Sequence, residues 1–156
     1  MAATFTIIGA VVLPGTEPAV ALVRRYARAL LPGFPELYEL TVVASELFTN
    51  AVRHSRSGHL ADDRAGGHVT VSFLVGTEVL RLEIADQGGA GAPGLRAPDD
   101  NGESGRGLHV VEALSLGWGS ERRGPHTVVW ADFARAGDVD PQHGPIPACG
   151  SRRPGG

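Results

Sequence analysis

The sequence predicts an α+β fold, a two-layer sandwich in which a mostly antiparallel mixed sheet carries helices on one face. Five short segments are β-branched or alternate apolar and polar residues, which is typical of strands. Three others have helical spacing of apolar residues. Strands that are neighbours in sequence are joined by short turns, which indicates antiparallel pairing. Helices and strands are segregated along the chain in the order β-α-α-β-β-α-β-β, so the class is α+β.

The first half of the chain contains one predicted strand and two predicted helices. Residues 4–13 are apolar and β-branched, and therefore predict a strand. Thr16 follows a Pro-Gly break and is expected to cap a helix that runs to about residue 31. A second helix is expected over residues 35–55. It is apolar around most of its circumference, which indicates a buried helix.

The second half begins with predicted strands over residues 69–75 and 78–85. Residues 86–105 are rich in Gly, Pro and Asp without periodicity, and a loop of this length in a compact domain is often a functional lid. A short helix is expected over 106–115, then strands over 116–121 and 127–134. Residues 1–136 thus form one predicted domain, and residues 137–156 are predicted to be a disordered Gly/Pro-rich tail.

Composition excludes several classes of protein. The chain has no lysine, since all 14 of its basic residues are arginines, and this excludes Schiff-base chemistry and a Walker-type phosphate loop. A formal net charge of -3 gives no indication of direct nucleic-acid binding. No apolar run approaches the roughly 20 residues of a membrane span. Residues 1–6 lack the basic stretch of a signal peptide, and Cys149 is the single cysteine, so a cytoplasmic location is expected.

The second predicted helix contains a polar cluster. Glu46 and Asn50 are four residues apart and share one face, and Arg53 and His54 lie one turn further along the same side. A carboxylate and an amide on a largely apolar helix need a polar partner. Mg²⁺ bound to phosphate is suitable, because Mg²⁺ takes few protein oxygens. The alternative is a solvent-facing polar stripe at the end of a helix.

Glycines flank the long predicted loop at both ends. Asp86 ends a strand and is followed by Gly88, while Gly105 and Gly107 open a helix, where backbone amides can approach an anion. This is not a dinucleotide fingerprint, because Val110 stands where a third glycine is needed. An ordinary flexible surface loop is the alternative. The segment 124–130, which includes Thr127, is interpreted on its own as a turn into a core strand.

Taken together, these three elements resemble the GHKL (histidine kinase-like) ATPase superfamily, and more narrowly its single-domain anti-sigma-factor serine/threonine kinases. The resemblance covers about residues 16–133. It is carried by the sets Glu46-x-x-x-Asn50-Ala51-x-x-His54, Asp86-x-Gly88 and Gly105-Arg106-Gly107-Leu108. The chain departs from the family pattern at Gly91, which stands one place late, at Pro93 and Pro98 in the loop, and at Pro125-His126 before Thr127.

The resemblance implies a Bergerat-type fold that binds ATP and Mg²⁺. Asn50 would ligate Mg²⁺ and Glu46 would be the general base. Asp86 would accept a hydrogen bond from the adenine amino group. The remaining residues of the implied cofactor site are Gly88 and Thr127 around the purine, Gly105, Gly107 and Leu108 of the phosphate-binding motif, and Arg53, His54 and Arg106 on the phosphate side.

The function implied by the resemblance is phosphorylation of an anti-sigma-antagonist (STAS-type) protein, together with binding of a sigma factor and hence regulation of transcription. Relatives of this kind are often dimers, so a homodimer is open. One alternative is an ATP-binding module that sequesters a partner without significant kinase turnover. A second alternative, a sensor histidine kinase fragment, would need a phosphoacceptor helix pair or a receiver region, and neither is found in the sequence.

Overall fold

The computed structural model describes residues 3–54, 67–88, 104–135, 139–140 and 144–145. Its helices are a 3-10 helix over Glu17–Ala19, α1 over Val20–Leu30, α2 over Leu37–His54 and α3 over Ser104–Leu114. Its strands are β1 Thr6–Pro14, β2 His68–Val75, β3 Val79–Asp86, β4 Gly117–Arg123, β5 His126–Ala134, β6 Val139–Asp140 and β7 Gly144–Pro145. None of the described helices is long and apolar enough to cross a membrane.

The first five strands form one sheet in the order β1-β2-β3-β5-β4. Every neighbouring pair in this sheet is antiparallel. Strands β6 and β7 form a separate short pair. The predicted α+β fold is confirmed, and the expected mixed sheet has no parallel pair among the described strands.

One face of the sheet is apolar and carries the helices. Leu80, Leu82 and Ile84 alternate along β3 toward this face and belong to the same buried cluster as the apolar side chains of α2. The cluster also takes alternate residues from β2 and β5, which pair with β3 in register. Asp86 continues the alternation of β3, so its carboxylate lies on the helix-bearing face at the end of the strand.

Helix α2 lies at the centre of the helical layer. It contacts α1, α3 and strands β2, β3 and β5. Leu47 and Phe48 are among its fully buried side chains, and burial of each such side chain contributes about 1.5–3 kcal/mol. The predicted buried helix is therefore confirmed, and its polar residues are held on a rigid support.

The opposite face of the sheet carries a cluster of charged and aromatic side chains around Arg81. The Arg81 guanidinium lies over the rings of Phe5 at 4.3 Å and Trp130 at 4.1 Å from their centroids. It also donates two hydrogen bonds to the Asp132 carboxylate, at 2.7 and 2.9 Å. Trp118, in contrast, packs against the apolar core on the helix-bearing face. The two tryptophans therefore lie on opposite faces of the sheet.

Two details differ from the sequence-based predictions. Thr16 has extended backbone angles and makes no capping hydrogen bond through its side chain, and the turn that follows is a 3-10 helix. Helix α3 begins at Ser104, two residues before the predicted start. Glycines weaken a helix in isolation, and contacts between α3 and α2 compensate for this here.

Parts of two other predictions lie outside the described residues. The expected loop over residues 86–105 is described only at its two ends, because residues 89–103 fall outside the description. Of the predicted tail over residues 137–156, the structure describes β6 and β7. Its disorder stays a prediction.

Candidate functional site

The polar cluster of α2 lies in the last three turns of the helix. Glu46 and Asn50 are half-buried on one face, whereas Arg53 and His54 are exposed at the C-terminal end. Arg53 donates a hydrogen bond from Nε to Glu17 Oε1 at 3.2 Å, on the outer surface beside the 3-10 helix. The described contact of Arg53 is therefore with Glu17 of the 3-10 helix.

Glu46 contacts the second glycine motif directly. A β-carbon on Gly107 would lie 2.7 Å from Glu46 Oε2 and 3.6 Å from its Cδ. Gly105 and Arg106 belong to the same first turn of α3, and Leu108 is half-buried beside them. The side chain of Arg106 lies outside the described part of the chain. The structure thus brings together Glu46 and Gly107, two residues that the sequence analysis assigned to one site from separate motifs.

Asp86 forms the second part of the site, where β3 ends. The residue is buried, with 8% of its surface exposed, and its Oδ1 accepts a hydrogen bond from the Gly88 backbone N–H at 2.6 Å. Burial raises the pKa of the Asp86 carboxyl. Hydrogen bonds from the backbones of Gly88 and Thr127, and electrostatic interactions with the nearby side chains of His126 and Arg122, oppose part of that rise in pKa.

Two neighbours of Asp86 were expected in the same site. Thr127 is half-buried and pairs with Asp86 across the β3–β5 ladder. Gly88 has φ of +74°, a conformation that side chains rarely adopt, and a β-carbon there would lie 2.5 Å from the Pro125 carbonyl oxygen. The backbone at residue 88 can therefore take this course only because the residue is glycine. The structure places Asp86, Gly88 and Thr127 together, as the sequence analysis expected.

Three further residues border the Asp86–Gly88 segment and were not assigned to the site from sequence. These are Arg122, Pro125 and His126, on the hairpin between β4 and β5. The only sequence signal was the departure from the family pattern at Pro125-His126. Their proximity to Asp86 depends on β5 pairing with β3 as well as with β4, and spacing along the chain does not reveal this.

The donor set fits Mg²⁺–ATP. Among the described residues there is no group of three or more His, Cys, Asp or Glu that could hold a metal by itself. Mg²⁺ at Asn50 would take the side-chain oxygen of Asn50 and complete its shell with phosphate and water, as it usually does in nucleotide sites. An ionised carboxylate only accepts hydrogen bonds, so Asp86 suits an amino group on a purine.

The two parts of the site are carried by elements that pack directly on each other. Helix α2, with Glu46 and Asn50, contacts both α3 and β3. Asp86 lies at the end of β3 on the same helix-bearing face. The arrangement can therefore present backbone amides, the Asn50 amide and two carboxylates along one side of the sheet.

Comparison with known proteins identifies the family of the chain. The sequence profile of the histidine kinase-like ATPase domain matches residues 13–133. A serine-protein kinase, RsbW of Bacillus pumilus (strain SAFR-032), is 39% identical over 57 residues, which are 36% of this chain and 33% of that protein. The match to this kinase thus spans about a third of its length. Because the profile covers most of the chain, including both parts of the site, the chain belongs to the histidine kinase-like ATPase family and is an ATP-binding domain.

Proposed function

We propose that the chain is a Mg²⁺- and ATP-dependent serine/threonine protein kinase of the anti-sigma-factor type. Its substrate would be an anti-sigma-antagonist protein of the STAS type, and it would also bind a sigma factor. The observation that carries the proposal is the Glu46 carboxylate, which contacts Gly107 of the phosphate-binding motif and shares a helix face with Asn50. The partial match to a serine-protein kinase supports the same class of activity.

The reaction rests on positioning and on neutralisation of charge. ATP is the phosphoryl donor, and Asn50 would hold Mg²⁺, which would offset the charge of the phosphates. Glu46 accepts the proton of the serine hydroxyl of the substrate protein. The oxygen of that hydroxyl bonds to the γ-phosphorus as the bond between the γ-phosphorus and the β-phosphate oxygen breaks. A carboxylate is suited to this step because it can hold and orient the hydroxyl before it takes the proton.

The remaining residues hold the nucleotide. Asp86 and Thr127 bind adenine, with Gly88 allowing close approach of the ring. Backbone amides of Gly105 and Gly107 at the start of α3 bind phosphate. Arg53, His54 and Arg106 are the groups proposed for the phosphate side, although the described contact of Arg53 is with Glu17.

A second candidate function is an ATP-binding module that sequesters its partner without significant turnover. The departures from the kinase pattern within the 86–105 loop, at Gly91, Pro93 and Pro98, favour it. In this alternative ATP is a structural or regulatory ligand, and Glu46 stabilises the packing of α3. A cytoplasmic location and a homodimer are compatible with both functions.

The test begins with a pull-down from the native cell with and without ATP. Candidate partners are then mixed with the purified chain and γ-labelled ATP under single-turnover conditions, and the phosphorylated residue is mapped. Label on a serine or threonine of a bound partner supports the kinase. Stable, ATP-dependent binding of the partner without transfer of label would refute the kinase and support the sequestering module.

A further inference from the structure

The turn between β4 and β5 lies against the Asp86–Gly88 segment. The turn has two residues, Gly124 and Pro125, and joins the paired residues Arg123 and His126. Gly124 has φ of +59°, which suits the first central position of a type II′ hairpin turn. This geometry places the Pro125 carbonyl and the His126 ring next to the end of β3.

The His126 ring contacts the backbone at Asp86. Its Nδ1 lies 3.0 Å from the carbonyl oxygen of Asp86. A carbonyl oxygen can only accept a hydrogen bond, so Nδ1 carries the proton and donates it. The contact selects one tautomer of the imidazole and holds the last peptide group of β3 in a fixed orientation.

The Pro125 carbonyl packs against the other end of the same segment. Its oxygen lies where a β-carbon of residue 88 would come within 2.5 Å. The Asp86 carboxylate joins the two ends, because it accepts the Gly88 N–H at 2.6 Å. The segment is therefore held at its first residue by His126 and at its third residue by Pro125.

We propose that His126 is a positioning residue for purine recognition, which orients the Asp86 carboxylate through the Asp86 backbone and so makes the site select adenine. The proposal rests on the proposed nucleotide site. The Asp86 carboxylate already accepts hydrogen bonds from the backbones of Gly88 and Thr127. A carboxylate has about four acceptor positions, so capacity remains for an amino group. Its direction depends on the peptide that His126 holds.

Adenine selectivity follows from this arrangement. Adenine presents an amino donor, whereas hypoxanthine of inosine triphosphate presents a carbonyl at the same ring position. A carboxylate acceptor in a fixed orientation binds the amino group of adenine and repels the carbonyl oxygen of hypoxanthine. Loss of the His126 contact lets the carboxylate turn, so it weakens binding of ATP more than binding of inosine triphosphate.

The test compares His126→Ala with two amide variants of the full chain. The Asn side-chain nitrogen occupies nearly the place of His Nδ1, whereas the Gln nitrogen corresponds to Nε2. We expect His126→Ala and His126→Gln to weaken Mg²⁺–ATP binding about tenfold by calorimetry, and His126→Asn to recover most of the loss. Affinity for inosine triphosphate should change less than threefold in all three variants, by the same reasoning about one hydrogen bond. Equal losses for the two nucleotides, or no loss for ATP, would overturn the proposal.

A second measurement needs no nucleotide. Hydrogen exchange of the Gly88 amide, followed by NMR, should be faster in His126→Ala and restored in His126→Asn, because this amide is bonded to Asp86. Ring ¹⁵N shifts should show the proton on Nδ1 in the unaltered chain. Unchanged hydrogen exchange at the Gly88 amide would overturn the positioning role of His126 and would leave the proposed function standing. Failure of the unaltered chain to bind ATP would refute the proposed function, and with it the selectivity for adenine.

Discussion

The Glu46 carboxylate lies against the backbone of Gly107, so closely that a β-carbon on residue 107 would come within 2.7 Å of Oε2. A glycine inside a helix costs about 1 kcal/mol relative to alanine. Alanine at this position would therefore favour helix α3 and at the same time displace the carboxylate. The clash is with the far end of a flexible side chain, so Glu46 moves and the helix stays.

Gly107→Ala should therefore affect transfer more than stability. We expect a melting temperature within about 3 °C of the unaltered chain, because the gain in helix propensity offsets the displacement. Single-turnover transfer should fall at least about tenfold, because the proposed base no longer lies in its place. Calorimetric melting and the labelled-ATP assay measure the two effects.

A double-mutant comparison separates this effect from a general loss of nucleotide binding. In a Glu46→Ala background the extra methyl group meets no carboxylate, so Gly107→Ala should stabilise the chain by up to about 1 kcal/mol. It should also leave the residual transfer unchanged. If Gly107→Ala lowers stability equally in the unaltered chain and in Glu46→Ala, glycine is required at position 107 for a reason other than its contact with Glu46.

Glu46→Gln should separate binding from chemistry. Glutamine preserves size and hydrogen bonding but does not take a proton, so ATP affinity should stay within a few-fold while transfer falls at least about a hundredfold. Glu39→Gln, on the first turn of the same helix, is the matched control and should leave both unchanged. Equal transfer by Glu46→Gln and the unaltered chain would rule out the assignment of the base.

Asn50→Ala should remove the Mg²⁺ dependence of nucleotide binding. ATP affinity is measured with Mg²⁺ and with a chelator, and the gain due to Mg²⁺ should vanish in the variant because the metal loses the proposed Asn50 ligand. Thr49→Ala, about 100° away around the same helix, should keep the gain. An undiminished Mg²⁺ effect in folded Asn50→Ala would contradict the assignment of the metal ligand.

Asp86→Asn should increase stability and weaken ATP binding. Burial raises the Asp86 pKa above the ordinary value of 3.8, so the folded state holds the proton more tightly than the unfolded state. The stabilisation that comes from this proton is fully present below pH 3.8, and it is lost as the pH rises through the raised pKa of the folded state. The variant should therefore melt higher than the unaltered chain at pH 7, with a difference that closes in acid, while ATP affinity falls at least about tenfold.

The matched control for Asp86→Asn lies on the other face of the sheet. Asp132→Asn removes the charge that pairs with Arg81, so it should lower the melting temperature and leave ATP binding intact. A higher melting temperature for Asp86→Asn and a lower one for Asp132→Asn would show that the charged Asp86 carboxylate lowers stability while it serves nucleotide binding. A fall in melting temperature for both variants at pH 7 would contradict the assigned cause of the Asp86 pKa rise.

The sequence predicted those features that depend on local pattern. Periodicity located the five main strands and the buried helix α2, and the motif residues Glu46 and Gly107 were assigned to one site that the structure does bring together. The early start of α3 was missed because glycine propensity argues against a helix there. The contact between His126 and Asp86 was missed because it depends on the pairing of β5 with β3, which is a long-range property.

The positions of the two tryptophans give the sheet a separate optical probe on each face. Trp118 packs against the core beneath the helices, while Trp130 lies under the Arg81 guanidinium on the opposite side. In a Trp130→Phe variant, fluorescence would report only on the helix-bearing layer that contains the nucleotide site. In a Trp118→Phe variant, fluorescence would report only on the sheet face opposite the helices, around Arg81 and Trp130. Emission from the two variants during denaturation would therefore show whether the helical layer detaches before the sheet itself comes apart.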